Sequence, residues 1–159
     1  MNEWLNDFKQ TVESAAPRLT AISEDSSAEP RASEKWSAKQ ILGHLIDSAA
    51  NNHARFVLAQ TKDDLVFPGY DQEAWVNINH YQQRSWSELI ELWRAYNLQL
   101  HHLMTHASSQ KMSTPCTLHT LQEIAFKVVP QSEPVTLEYL MKDYVDHLKH
   151  HLSQIFAEA

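Results

Sequence analysis

The sequence predicts an all-α protein, a four-helix bundle with a long crossover connection. Four long stretches carry apolar residues at helical spacing, and the connections between them are long. The 159 residues include two glycines, against roughly eleven at average usage. Tight-turned all-β folds and glycine-rich phosphate loops need more glycine than this. Because this length suits one hydrophobic core, we interpret residues 1–159 as a single domain.

The first predicted helix covers residues 2–15 and ends near Pro17. Its apolar side chains recur at helical spacing and are Trp4, Leu5, Phe8 and Val12. A polar segment, SEDSSAEPRASE at 23–34, follows it. This run of serine, proline and charged residues separates the first amphipathic segment from the rest of the chain.

The second predicted helix has the clearest start. Ser37 and Gln40 have the spacing of a capping box, and Trp36 is placed to act as a hydrophobic staple. The apolar period then continues to about Gln60. The segment DQEAWV, at 71–76, follows in the next connection and predicts a short helix.

The third and fourth helices also begin at capping residues. Ser85, with Glu88 as its capping-box partner, predicts a helix that runs to about Ala107. Thr136 predicts the start of the last helix. Between them, residues 108–135 contain three prolines and a β-leaning stretch, so we expect a short hairpin or an extra turn of helix there.

Three of the ten histidines lie where they can meet. A helix turns about 100° per residue, which places His147 and His151 one turn apart on one flank of the last helix's apolar face. His44 lies at the margin of the buried face of the second helix. His44 and His151 each lie about 10 Å from an end of their helix, so the three rings meet at one level if these two helices are antiparallel neighbours. Three histidines leave a metal ion with an open coordination position, although hydrogen-bonded histidines without a metal would have the same spacing.

A second histidine pair has the same spacing but a different direction. His102 and His106 do not both point toward the apolar row of the third helix, so we expect them at the surface. No metal ligand is predicted among the histidines on other flanks or in connections, which include His53, His80, His119 and His150.

Beyond spacing, three strings resemble a known family. They are KWSAKQILGHLIDSAANNHARF at 35–56, DQEAWV at 71–76 and DYVDHLKHHLSQI at 143–155. Together they resemble the DinB superfamily, and within it the YfiT-like branch of metal-dependent hydrolases, which includes bacillithiol S-transferases. The resemblance implies a four-helix bundle of the DinB type, a homodimer, and a divalent metal ion, nickel or zinc. By motif position it assigns the ligands to His44, His147 and His151.

These features favour an enzyme in which the metal activates a water molecule or a low-molecular-weight thiol, for hydrolysis or for S-transfer. One alternative is a metal-binding or stress-related interaction module without turnover. Another is a thiol-dependent isomerase of the same fold, in which a glutamate typically replaces one ligand. Cys116 is a weaker candidate nucleophile, because no histidine or acid pattern accompanies it.

The substrate pocket is expected beside the ligands. Ser48 and Arg55 lie on the same face of the second helix as His44. Arg55 has two interpretations, a partner for a substrate carboxylate or a structural ion pair. Tyr70 and Trp75 are candidates for the pocket wall, with core packing as the alternative. Asp47 flanks the site either as a hydrogen-bond partner of a ligand or as a solvated side chain.

The expected partner is a small-molecule substrate, and the charge of the chain disfavours two other classes of partner. Thirteen basic and twenty acidic residues give a net charge of −7, which disfavours nucleic acid and anionic membranes. The first ten residues are amphipathic and acidic, unlike a secretion signal. The single Cys116 excludes an internal disulfide and a multi-cysteine zinc site within the chain. We therefore expect a cytoplasmic protein.

Overall fold

The computed structural model describes residues 2–157, and helices are the main secondary structure of this part of the chain. The α-helices are α1 (Glu3–Thr20), α2 (Glu24–Ala28), α3 (Ala38–Leu58), α4 (Gln72–Ile78), α5 (Trp86–Thr105), α6 (Ser109–Ser113), α7 (Leu121–Ile124) and α8 (Leu137–Phe156). A 3₁₀ turn at Tyr81–Gln83 precedes α5. Within these residues β pairing is limited to isolated bridges, one of which joins Cys116 and Val135.

The four long helices, α1, α3, α5 and α8, form a bundle in which α1 and α3 each pack against both α5 and α8. α3 and α8 are antiparallel, because the start of α3 lies beside the end of α8, where the rings of His44 and His151 are 4.8 Å apart. The end of α3 lies near the start of α8, where Phe56 packs edge to face on Tyr144. The predicted four-helix bundle is therefore confirmed.

α3 and α5 are parallel neighbours. Lys39, at the start of α3, donates a 2.6 Å hydrogen bond to the carbonyl of Arg84, just before α5. Further along both helices, the ring of His53 packs against Tyr96. The connection at 59–85 must return along the length of the bundle to join them, which is the predicted crossover.

Most helix starts follow the local sequence signals. The Ser37 side chain accepts the amide of Gln40, and the Gln40 side chain accepts the amide of Ser37, so the predicted capping box forms. Thr136 accepts the amide of Tyr139 at the start of α8. Asp71 accepts the amide of Ala74 at the start of α4, the short helix predicted in this connection. Side-chain caps depend on residues within one turn, so sequence patterns identify them.

The first helix is longer than predicted. It continues through Pro17 to Thr20, although proline removes one intrahelical hydrogen bond. Leu19, in this last turn, is completely buried. Its carbonyl accepts a 2.9 Å hydrogen bond from the Trp86 indole. These tertiary contacts offset the cost of the proline.

The predicted capping box at the start of α5 is wrong. The Ser85 side chain makes no cap hydrogen bond. Instead, the carboxylate of Glu24 accepts the amide of Trp86 at 2.9 Å. Glu88 pairs with Arg84 on the surface. A residue distant in sequence therefore caps this helix, which a local pattern cannot indicate.

Residues 108–135 contain extra helical turns, α6 and α7, rather than a hairpin. The β-leaning stretch at 124–129 joins no strand within the described residues. Its backbone is held instead by the buried Asp143, whose two carboxylate oxygens accept the amides of Phe126 at 2.8 Å and Lys127 at 2.7 Å. A carboxylate thus supplies the acceptors that a neighbouring strand would provide.

All four long helices contribute to one continuous hydrophobic core. Its largest completely buried side chains include Trp93, Phe8, Phe56, Leu42 and Leu100. No helix within residues 2–157 combines the length and the apolar character needed to cross a lipid bilayer.

Candidate metal centre

The rings of His44, His147 and His151 meet between α3 and α8. The Nε2 atoms of His44 and His147 are 3.2 Å apart. The ring centroids are separated by 5.1 Å for His44 and His147 and by 4.8 Å for His44 and His151. The centroids of His147 and His151 are 4.5 Å apart. One ring nitrogen from each residue can be chosen so that all three lie within 4.8 Å of one another.

Local structure orients each ring. His147 and His151 occupy successive turns of α8, which places them on one face. The Nδ1 atom of His151 lies 2.8 Å from the side-chain oxygen of Gln154, so it donates to that oxygen and leaves Nε2 as the free lone pair. Trp36, just before the α3 cap, packs on His44 with ring centroids 5.3 Å apart. Gln154 is not among the predicted site residues, although its spacing of three from His151 indicates this contact.

Burial keeps these imidazoles neutral. His44 is completely buried. Burial, with the charge of His151 as the second cause, lowers the pKa of His44 to about 4. Burial and the neighbouring histidines lower the pKa of His147 to about 3. Burial also lowers the pKa of His151. At neutral pH all three rings therefore offer a lone pair, the form in which histidine binds a metal.

The donor set fits a divalent transition metal. Two nitrogens that bind one ion at about 2.1 Å with tetrahedral geometry are about 3.4 Å apart, close to the 3.2 Å between His44 and His147. Three imidazoles suit zinc, nickel and other late first-row metals.

A cavity of about 370 Å³ lies beside the cluster. Its wall contains two of the three histidines and two residues predicted for the pocket on α3, which are His147, His151, Ser48 and Arg55. Tyr70 also lines it, and burial raises the pKa of Tyr70 to about 12, so its hydroxyl stays protonated. Trp75 is absent from this wall among the described residues and packs on Tyr70, with centroids 5.4 Å apart.

The structural ion pair considered for Arg55 does not form. Arg55 donates to the carbonyl of Pro68 at 3.0 Å and to the side-chain oxygen of Asn52 at 3.5 Å. No carboxylate within residues 2–157 lies at salt-bridge distance from it. Asn52, which is not among the predicted site residues, lies one turn before Arg55 and also lines the cavity.

Asp47 is not solvated. It is 2% exposed. It accepts hydrogen bonds from the Tyr81 hydroxyl at 2.6 Å and from the Asn79 side chain at 3.2 Å. Burial raises its pKa to about 6, although the Tyr81 hydrogen bond acts in the opposite direction. These bonds attach the crossover connection to α3.

The remaining candidates lie away from the cluster. His102 and His106 are exposed, as predicted, with Nδ1 of His106 2.8 Å from the His102 carbonyl. His119, in a connection, is buried and structural: its Nε2 donates to the Glu133 carbonyl at 2.7 Å, and its Nδ1 accepts the amide of Leu121. Burial raises the pKa of Cys116, so its thiol stays protonated at neutral pH.

The chain is similar in sequence to three curated proteins, each named "Putative metal-dependent hydrolase". It is 24% identical to YfiT of Bacillus subtilis over 158 residues, 97% of this chain and 81% of YfiT. It is 22% identical to a Bacillus licheniformis protein over 160 residues, 99% of this chain and 84% of that one. It is 26% identical to an Oceanobacillus iheyensis protein over 81 residues, 51% of this chain and about half, 47%, of that relative.

The fold is similar to the solved structure of YfiT from Bacillus subtilis, which is described as a probable metal-dependent hydrolase with an unusual four-helix bundle topology. The TM-score is 0.74 at 21% identity, and the match covers 98% of this chain and 86% of that one. The sequence pattern of the DinB superfamily matches residues 7–155. Since this match spans nearly the whole chain, the protein belongs to the DinB superfamily.

Proposed function

We propose that this protein is a divalent-metal-dependent enzyme that uses a three-histidine site to activate a small thiol or water, for S-transfer or hydrolysis. The observation that carries the proposal is the convergence of His44, His147 and His151 beside a cavity of about 370 Å³. A site with three protein ligands leaves a position open for a reacting group, as catalytic sites do. We propose nickel or zinc as the metal.

The residues of the chain hold and orient this site. His44, His147 and His151 would hold the ion as neutral imidazoles, and Gln154 fixes the ring of His151. A bound divalent cation lowers the pKa of a thiol or water molecule and so supplies a nucleophile at neutral pH. Tyr70 keeps its proton and can donate a hydrogen bond to a substrate in the cavity.

A second cavity supports transfer between two substrates. It has a volume of about 520 Å³, and His151 lines it together with Trp36 and Glu73. His151 therefore lies at the wall of both cavities. A thiol and an electrophile could approach the cluster from different sides. The alternative reaction, hydrolysis, is supported by the relatives that are named metal-dependent hydrolases.

An activity panel separates these reactions. Protein without a histidine tag is loaded with zinc or nickel and mixed with several low-molecular-weight thiols and a chromogenic electrophile, or with a chromogenic ester alone. We expect a metal-dependent rate with at least one thiol or with the ester, and its loss in His147→Ala. His102→Ala, from the exposed pair on α5, is the matched control and should keep the rate.

One result of the panel would contradict the proposed enzymatic function. If the loaded protein gives no metal-dependent rate with any thiol or ester, a non-catalytic metal-binding module is the better description. A thiol-dependent isomerase is less well supported, because the cluster contains three histidines and no carboxylate.

We further propose a cytoplasmic homodimer. The dimer rests on the resemblance to the DinB superfamily, whose sequence pattern matches residues 7–155. Sedimentation equilibrium should give twice the chain mass, and a monomer at micromolar concentration would overturn the dimer. A fluorescent fusion of the full chain should distribute through the cytoplasm.

A further inference from the structure

Arg55 is a buried cation without an acidic partner. The residue is 6% exposed. Its guanidinium carries five N–H donors. It contacts two uncharged acceptors, the Pro68 carbonyl at 3.0 Å and the Asn52 side-chain oxygen at 3.5 Å. A buried charge is costly unless a counter-charge or several hydrogen bonds compensate it. The Cζ atom of Arg55 also lies 5.9 Å from the centroid of the Tyr70 ring, at the outer limit of a cation–π contact. None of these partners supplies a carboxylate, so the guanidinium has no acidic counter-charge.

The acidic groups of the same cavity do not neutralise it. Asp143 and Glu123 line the cavity with Arg55. Both carboxylate oxygens of Asp143 accept backbone amides, those of Phe126 and Lys127. Glu123 is exposed to solvent. Neither carboxylate forms an ion pair with Arg55. Arg55 supplies the only guanidinium or ammonium group on the described cavity wall.

We infer that Arg55 binds a carboxylate of the small molecule that reaches the histidine cluster through this cavity. The planar guanidinium matches a carboxylate with two parallel hydrogen bonds, whereas a neutral group matches it poorly. The inference rests on the proposed function, since it assigns a substrate class to the same site: a thiol or electrophile with an acidic group.

Helix geometry sets the length of that molecule. Arg55 follows His44 by eleven positions on α3, about 16 Å along the helix axis. Helical side chains lean toward the N-terminus, which brings the guanidinium closer to the cluster. The carboxylate must still be separated from the reacting atom by several bonds. A short mercaptoacid with adjacent thiol and acid groups should therefore bind less well than a longer one.

The first test needs no variant. Metal-loaded protein is titrated by calorimetry with mercaptohexanoic acid and with its methyl ester, which keeps the thiol and removes the charge. We expect the acid to bind about tenfold more tightly, the difference typical of a hydrogen-bonded charged group. Equal affinities would overturn the inference.

Variants separate recognition from folding. In Arg55→Gln the affinity for the acid should fall about tenfold and the affinity for the ester should stay the same. Arg55→Lys should recover part of the preference for the acid. Arg84→Gln, at an exposed arginine, is the matched control and should bind both probes as the unmodified protein does. If Arg55→Gln weakens both probes equally, Arg55 is a positioning residue for the connection at Pro68, and the inference fails.

Binding and turnover distinguish the two proposals. A preference for the acid without any turnover contradicts the proposed enzyme and leaves the carboxylate subsite intact. Turnover without a preference for the acid contradicts the subsite and leaves the enzyme intact.

Discussion

His44 Nε2 and His147 Nε2 are 3.2 Å apart, although 103 positions separate the two residues in the chain. Two protonated imidazoles would repel each other at this distance, and the charge of His44 is one of the causes that lower the pKa of His147. The neutral rings can share a proton or a cation. Because the two histidines lie on different helices, the site can bind an ion only when α3 packs on α8.

Metal content depends on both helices. His147→Ala and His151→Ala should each weaken metal affinity at least tenfold. Elemental analysis of tag-free protein should therefore show less bound metal in each variant. His44→Ala should do the same from the other helix. His102→Ala and His106→Ala remove an equally spaced pair on α5 and should retain the metal. Unchanged metal content in His147→Ala and His151→Ala would exclude the site.

Gly43 is required for close packing of Tyr81. A Cβ atom at Gly43 would lie 2.2 Å from the Tyr81 ring, so the ring would have to move. Gly43→Ala should destabilise the protein by about 1–3 kcal/mol in denaturant unfolding, despite the better helix propensity of alanine. At Gly69 a Cβ atom would meet no neighbour within 4 Å. Gly69→Ala is thus the control and should change stability by less than about 0.5 kcal/mol. Equal effects of the two substitutions would contradict this role.

Asp47 makes stability depend on pH. Its folded-state pKa, about 6, lies above its ordinary value, so the folded state holds the proton more tightly. Its contribution to stability is greatest below the ordinary aspartate pKa and is lost as pH rises through about 6. Asp47→Asn cannot ionise and still accepts the Tyr81 hydrogen bond.

The stability of Asp47→Asn relative to the unmodified protein should therefore increase between pH 4 and 7, by about 2 kcal/mol. Urea unfolding of both proteins at several pH values measures this difference. The buried histidines change stability with pH in the opposite direction, but they are the same in both proteins and cancel in the difference. A difference that does not change with pH would exclude a raised pKa for Asp47.

Glu24 joins three helices of the described structure. Its carboxylate caps α5 at Trp86 and pairs with Lys39, whose side chain is buried in α3. Glu24→Gln should lower the thermal midpoint, because it removes the counter-charge of a buried ammonium group. Glu88→Gln, at the partner that local sequence suggested, should lower it less. If Glu88→Gln lowered the thermal midpoint more than Glu24→Gln, the capping box predicted from the local sequence would be the better description.

Much of the fold follows from local signals. The capping residues Ser37 and Thr136 predicted the starts of α3 and α8, because their hydrogen bonds lie within one helical turn. The spacing of His147 and His151 likewise placed two ligands on one face. The spacing placed His44 only at a helix margin, and the family resemblance assigned it as a ligand.

Contacts between distant residues escaped those signals. Glu24 replaced Glu88 as the cap of α5, and Asp143 held the stretch that suggested a hairpin. Each outcome depends on which side chains the bundle brings together, and one segment of sequence contains no such information.

By itself, the sequence determined the helical class, most helix starts and the pairing of His147 with His151, because periodicity and caps act within a few residues. The tertiary structure decided that α3 and α8 are antiparallel neighbours, which brings His44 to the other two rings. It also decided that Arg55 has no acidic partner, because the path of each connection determines which carboxylates lie near a buried guanidinium.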